Sequence, residues 1–186
     1  MLQFNRQSIR SIHKQKGFSS VEMGLVLLVV ALLVVAAVYM YRDNLRKTSV
    51  NNNMMHLTSI SGSLRSVYGQ ANQYANVTTA IAVSGAVVPK SLRNGTATTA
   101  TNTFGGTIEI APATLTSAND SIQITWPNVA SDQCQDIVMG VVSEMRKVQV
   151  AGSDVKPLDG QINLGTLTTQ CDSSPNVTLN FFVGRS

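Results

Sequence analysis

The pattern of apolar positions changes character along the chain. From Met23 to Tyr41 no residue is charged, and the apolar side chains show no preferred side. These 19 residues would make about 28 Å of helix, close to the hydrocarbon thickness of a bilayer. After Arg42, Arg46 and Lys47 the chain turns polar but keeps an apolar stripe. Leu57, Ile60, Leu64, Val67, Tyr68, Ala71 and Tyr74 recur at helical spacing, with Ser59, Ser61, Arg65, Gln70 and Asn72 filling the other face. No proline occurs before Pro89. The spacing therefore predicts one helix from Phe18 to Tyr74, about 85 Å long. Its first half is apolar all round, and its second half has one apolar face that must lie on something.

Further along, the period shifts to two. Residues 75–106 are rich in Thr, Ala, Asn, Gly and Ser and read as a long connecting loop. Gly105–Pro112 and Asp120–Trp126 alternate apolar and polar and read as strands, as does Asn176–Gly184. A second helix is expected from Asp132. Ile137, Val138, Val141, Val142, Met145 and Val148 would form its buried face, with Ser131 or Asp132 capping its first turn. Gly140 is an unfavourable residue inside it. The fold class expected is α+β: a long N-terminal helix packed on a small antiparallel sheet, with a second helix and one disulfide. Four segments follow: a basic leader 1–17, a hydrophobic anchor 18–41, the amphipathic half of the same helix 42–74, and a globular head 75–186.

Charge changes this picture in one respect. The chain of 186 residues has a formal net charge of +4. Residues 1–17 carry Arg6, Arg10, Lys14 and Lys16 and no acid, so they account for the whole excess. The rest is formally neutral, and no nucleic-acid binding by the head is expected. A basic leader before an apolar run holds the N-terminus in the cytoplasm. The remainder then faces the oxidising side, where Cys134 and Cys171 form a disulfide by default. Its loop would stabilise by about 3.5–4 kcal/mol in the chain-entropy model. Two unpaired buried thiols are the alternative. His13 and His56 are the only histidines, so no Cys/His zinc cluster can be assembled.

Glu22 stands at the head of the apolar run, where a carboxylate costs up to about 3 kcal/mol near a membrane. A helix N-terminus offsets about 0.3–1 kcal/mol of that. A cationic partner four residues earlier would share its face. Position 18 is Phe, after Gly17. A cut between them would create an α-amine, mostly protonated at neutral pH with its reference pKa of about 7.7–8.0. The same cut would remove the four basic residues of the leader.

The stretch KGFSSVEMGLVLLVVALLVV, from Lys16 to Val35, resembles the processing site of type IV prepilins. The resemblance implies cleavage after Gly17 by a prepilin peptidase and methylation of the new N-terminus at Phe18. It makes Glu22 the residue that pairs with the Phe18 amine of a neighbouring subunit during assembly. Ser19 and Ser20 depart from the commoner Thr and Leu. The 17-residue leader and the lack of a proline near the middle of the anchor, where Tyr39 stands, lean toward the type IVb group of bundle-forming, toxin-coregulated and conjugative thin-pilus subunits.

The implied function is a structural subunit that polymerises with itself through its N-terminal helix into a surface filament for adhesion, aggregation or conjugation. Its implied partners are the peptidase, an inner-membrane platform protein, an assembly ATPase and, before assembly, the membrane itself. It would sit in the inner membrane as precursor and outside the cell as filament. A minor pilin, a type II secretion pseudopilin, a tip adhesin and a conventionally secreted protein cut near Val35 to Ala37 are the alternatives. The sequence offers no catalytic centre or cofactor: there is no G-x-S-x-G, H-E-x-x-H or phosphate loop. Asp132 and Asp136 share a helix face, which reads as capping and solvation. Four N-x-S/T triplets, at Asn76, Asn94, Asn119 and Asn176, are what an Asn/Thr-rich chain produces by chance.

Overall fold

The computed structural model describes residues 20–69, 74–95 and 98–184. The chain divides into two compact units, residues 1–43 and 44–186. The described part of the first is wholly helical. It belongs to α1 (Ser20–Leu64), which also supplies the first element of the second unit.

In the second unit, α1 buries Val50, Leu57, Ile60 and Leu64, four positions of one helical stripe. The expected helix to Tyr74 is shorter than drawn. After Leu64 the coil widens into a π turn, Arg65–Gly69, and Tyr74 sits in a separate 3₁₀ turn, Tyr74–Asn76. A Cβ at Gly69 would lie 2.8 Å from the Tyr74 hydroxyl, so a larger residue here would have to displace the end of that side chain. Tyr74 is buried as expected, but Val67 points to solvent at 53% exposure. Ala71 and the proposed helix start at Phe18 lie outside the described residues.

The region expected as a loop contains α2 (Thr79–Ser84), whose first turn is capped by Thr78 Oγ1 accepting from Ile81 N–H, and a 3₁₀ turn at Lys90–Leu92. Ala82, Val83, Val87, Val88 and Leu92 drop from these short elements into the core. The irregular backbone is thus pinned by small apolar residues rather than left in solvent.

Five antiparallel strands form one sheet: β1 (Glu109–Ala113), β2 (Ser121–Ala130), β3 (Lys147–Val150), β4 (Ser153–Lys156) and β5 (Asn176–Gly184). Their order is β1-β2-β5-β3-β4, so the last strand of the chain is central. Phe181 pairs with Ile124 on one side and Val148 on the other. The unbroken burial of Phe181–Gly184 reflects a strand end covered on both faces. Strand β2 runs four residues past the expected Trp126, through a bulge before Val129. Pro127 and Asn128, the latter at φ 61°, occupy the break, where a missing N–H is tolerated.

Helix α3 (Ser131–Val141) begins where expected, but neither Ser131 nor Asp132 caps it: the capping position is Ala130, with no side-chain bond. It also ends early. Val148 belongs to β3, not to a helix face. Ala151 and Gly152, both at positive φ, turn β3 into β4 as a two-residue hairpin. Helix α4 (Leu164–Cys171), capped by Asn163 Oδ1 on Thr166 N–H at 3.1 Å, was not expected.

Candidate functional site

Two sets of residues carry the chemistry, one in each unit. In the first, Glu22 is the acidic residue of the first turn of α1. Its position favours a carboxylate through the exposed N–H groups and dipole of the helix start. Behind it the apolar side chains stand exposed on every side: Leu25 64%, Leu28 61%, Leu33 65%, Val35 68%. This helix is long and apolar enough to cross a membrane by length and composition. Gly17 and Phe18, the proposed cut and its new terminus, lie outside the described residues.

In the second unit the two cysteines meet. Cys134 on α3 and Cys171 at the end of α4 are joined by a disulfide with Cα atoms 5.6 Å apart, and both are fully buried. The alternative of two free thiols is set aside. The bond ties two helices whose apolar residues, Ile137, Val138 and Leu167 among them, belong to one core.

Further contacts fix the head part of α1, and sequence reasoning missed them. Asn53 is fully buried within the apolar stripe. Its amide N–H₂ donates to Ser49 O (2.8 Å) and Thr103 Oγ1 (2.7 Å), and its Oδ1 accepts from Trp126 Nε1 (3.1 Å). A buried amide satisfied this way fixes the rotation of the helix against the sheet, since a shifted register would strand several polar groups. Three residues past Val50 on the stripe, Asn53 was visible as a polar interruption, but its partners were not.

Two turns earlier, Arg46 reaches α3. Its guanidinium meets Asp136 at 2.9 Å and Asp132 at 3.4 Å, and also donates to the Asp132 carbonyl. The two aspartates therefore hold α3 to α1. Gly140, the unfavourable residue of α3, has a similar role: the Met54 thioether of α1 occupies the space where its Cβ would stand.

Carboxylates in the loops are held ionised by their neighbours. Partial burial opposes this at Asp120, but N–H bonds from Leu115, Thr116 and Ser117 and the Thr116 hydroxyl push it well below the usual carboxylate range. Arg146, bidentate on Asp159, lowers that carboxyl and is raised in turn. Among the described residues no cluster of His, Cys, Asp and Glu is placed to hold a metal ion.

A long helix on a five-stranded antiparallel sheet, closed by a disulfide between its flanking helices, is the fold of type IV pilins. Two solved structures match it. A type IV pilin, TcpA, from Vibrio cholerae El Tor aligns with a TM-score of 0.54 at 18% identity, covering 73% of this chain and 98% of that one. A type IVb pilin from Salmonella typhi aligns at 0.51 and 19% identity, covering 73% and 97%. No curated protein sequence matches. The family model described as PilS N terminal matches residues 47–183, and the chain belongs to that family. The match covers the head, so it is independent of the N-terminal residues that carry the prepilin resemblance. Family and fold together make the protein a type IV pilin, a structural subunit of a pilus.

Proposed function

We propose that the protein is made as a prepilin, cut between Gly17 and Phe18 by a prepilin peptidase, methylated at Phe18, and polymerised through α1 into a filament outside the cell. The observation that carries this is the first half of α1, exposed and apolar on all sides with Glu22 in its first turn. Such a surface has two chemically sensible environments: lipid before assembly and copies of itself afterwards. Apolar burial among many anchors supplies the cohesion. A contact between different faces of identical subunits does not close and extends as a helix.

Glu22 would meet the α-amine of Phe18 from a neighbour as it enters that core. In a dry setting a matched pair is tolerated, whereas an unmatched charge costs about 3–5 kcal/mol. The pair therefore sets register more than it adds stability. The energy source and scaffold for extraction from the inner membrane would be an assembly ATPase and a platform protein.

The test is the intact mass and N-terminal sequence of protein sheared from the cell surface. A chain starting at methylated Phe18 is expected. A start near Ala37 would overturn the reading, since the filament core would then be absent. Glu22→Ala should still be cut and methylated, yet sheared filament should fall at least 100-fold. Normal filament yield from that variant would remove Glu22 from assembly.

A further inference from the structure

An open sheet has two ends, and a strand at an end presents a row of backbone donors and acceptors to any extended chain that meets it. Here the end strands are β1 and β4. Successive residues of a strand aim their backbone groups to alternate sides. Ile108, just before β1, and Ile110 and Pro112 within it aim theirs away from β2.

Each of these positions is closed, and each by a different means. Ile108 N–H donates to the Ala100 carbonyl at 2.9 Å, beside a short bridge between Thr101 and Thr107 of the preceding loop. Ile110 N–H donates to Thr79 Oγ1 at 2.8 Å, and the same hydroxyl donates to the Ile110 carbonyl at 3.4 Å. One side chain thus meets both groups that a neighbouring strand would use. Thr79 is the first residue of α2, whose Ala82 and Val83 are buried in the core, so the hydroxyl is held at the strand. Pro112 has no N–H to offer. The other end of the sheet is closed in the same spirit: Val155 O accepts from Asn163 N–H at 2.8 Å, and Pro157 follows β4 directly.

We infer that Thr79 and Pro112 form a guard that keeps β1 from adding the β1 strand of a second copy of this chain. The pairing they block is specific. Two β1 strands meeting antiparallel about a two-fold axis at Ala111 would set Ile110 of each opposite residue 112 of the other. The two residues would exchange N–H and carbonyl bonds. Thr79 occupies the Ile110 half of that exchange, and Pro112 cannot donate the other half. The inference concerns the head alone and stands apart from filament assembly.

The test uses the full chain in detergent, with amide exchange read by NMR and chain association by analytical ultracentrifugation. In the parent the Ile110 amide should exchange slowly despite its place on an edge strand. Rapid exchange there would overturn the inference without any variant. Thr79→Val keeps the shape and removes the hydroxyl, and it should speed that exchange at least about tenfold. Thr79→Val combined with Pro112→Val opens both halves and should tighten association of the chains at least about tenfold over the parent. Thr79→Ser combined with Pro112→Val retains the hydroxyl and should stay near the parent. Ala111 is exposed, so Ala111→Glu added to the double variant would set two carboxylates opposite each other at the axis. It should return association to the parent level. A double variant that associates no more tightly than the parent would overturn the inference, as would association that Ala111→Glu leaves unchanged.

Discussion

Between Val21 and Tyr41 the large apolar side chains of α1 are 45–76% exposed, whereas Leu57, Ile60 and Leu64 on the same helix are fully buried. The backbone conformation is the same in both stretches. What differs is the source of cover. The later stretch is one-sided, and β2 and α3 of the same chain pack against it. The earlier stretch is apolar all round, and its side chains stand exposed on every side. Each Leu or Val left uncovered forgoes about 1.5–3 kcal/mol of burial. That deficit is the thermodynamic drive toward lipid or toward other copies. Polar content follows the same division: one acid at the start of the earlier stretch, against a buried Asn53 and Ser61 in the later one.

If the head covers itself, its stability must depend on its own cross-links, and the disulfide should show the largest effect. Cys134→Ser combined with Cys171→Ser is expected to lower head stability by about 2–5 kcal/mol. Chemical unfolding followed by Trp126 fluorescence, on oxidised and double-serine proteins, measures it. A difference under 1 kcal/mol would mean the bond is dispensable for holding α3 to α4.

Next is the buried amide. Asn53→Leu keeps the volume apolar but leaves Trp126 Nε1 and Thr103 Oγ1 without their partner. The expected loss is about 1–3 kcal/mol, the cost of stranding buried polar groups. A stability gain would show that the network limits the head rather than orienting α1.

Gly140→Val places a side chain where Met54 now lies. Overpacking of this kind costs about 1–3 kcal/mol. Met54→Ala should recover part of that loss when combined with it, a coupling that two unrelated sites would not show.

How much of this was legible depended on distance along the chain. Glu22 and the apolar run are a local pattern, and the buried stripe of α1 is a local period, so both were readable. Strands β1, β2 and β5 were readable for the same reason. The hairpin of β3 and β4 was not. Val141, Met145 and Val148 keep helical spacing across the 3₁₀ turn Val142–Glu144, which hides the change of element. The positive-φ pair Ala151 and Gly152 was the overlooked turn signal. Helix α4 is only eight residues long, too short for its period to stand out, although Asn163 marks its start. Arg46, Asn53 and Gly140 were opaque because their partners lie 50–90 positions away.

The smallest expected effect is at Arg46, and it tests whether charge or packing joins α1 to α3. The guanidinium is 39% exposed and its two partners 62% and 55%, so water screens both ion pairs. Exposed pairs of this kind contribute about 0–1 kcal/mol. Arg46→Gln should therefore cost under about 1 kcal/mol at low ionic strength, and the difference should shrink further in 1 M salt, where the Debye length is about 3 Å. Arg46→Met, which keeps the stem, should behave like the glutamine variant if charge is the only loss. A cost of 2 kcal/mol or more that survives high salt would place Arg46 with Asn53 and Met54, as a buried contact that the head cannot spare.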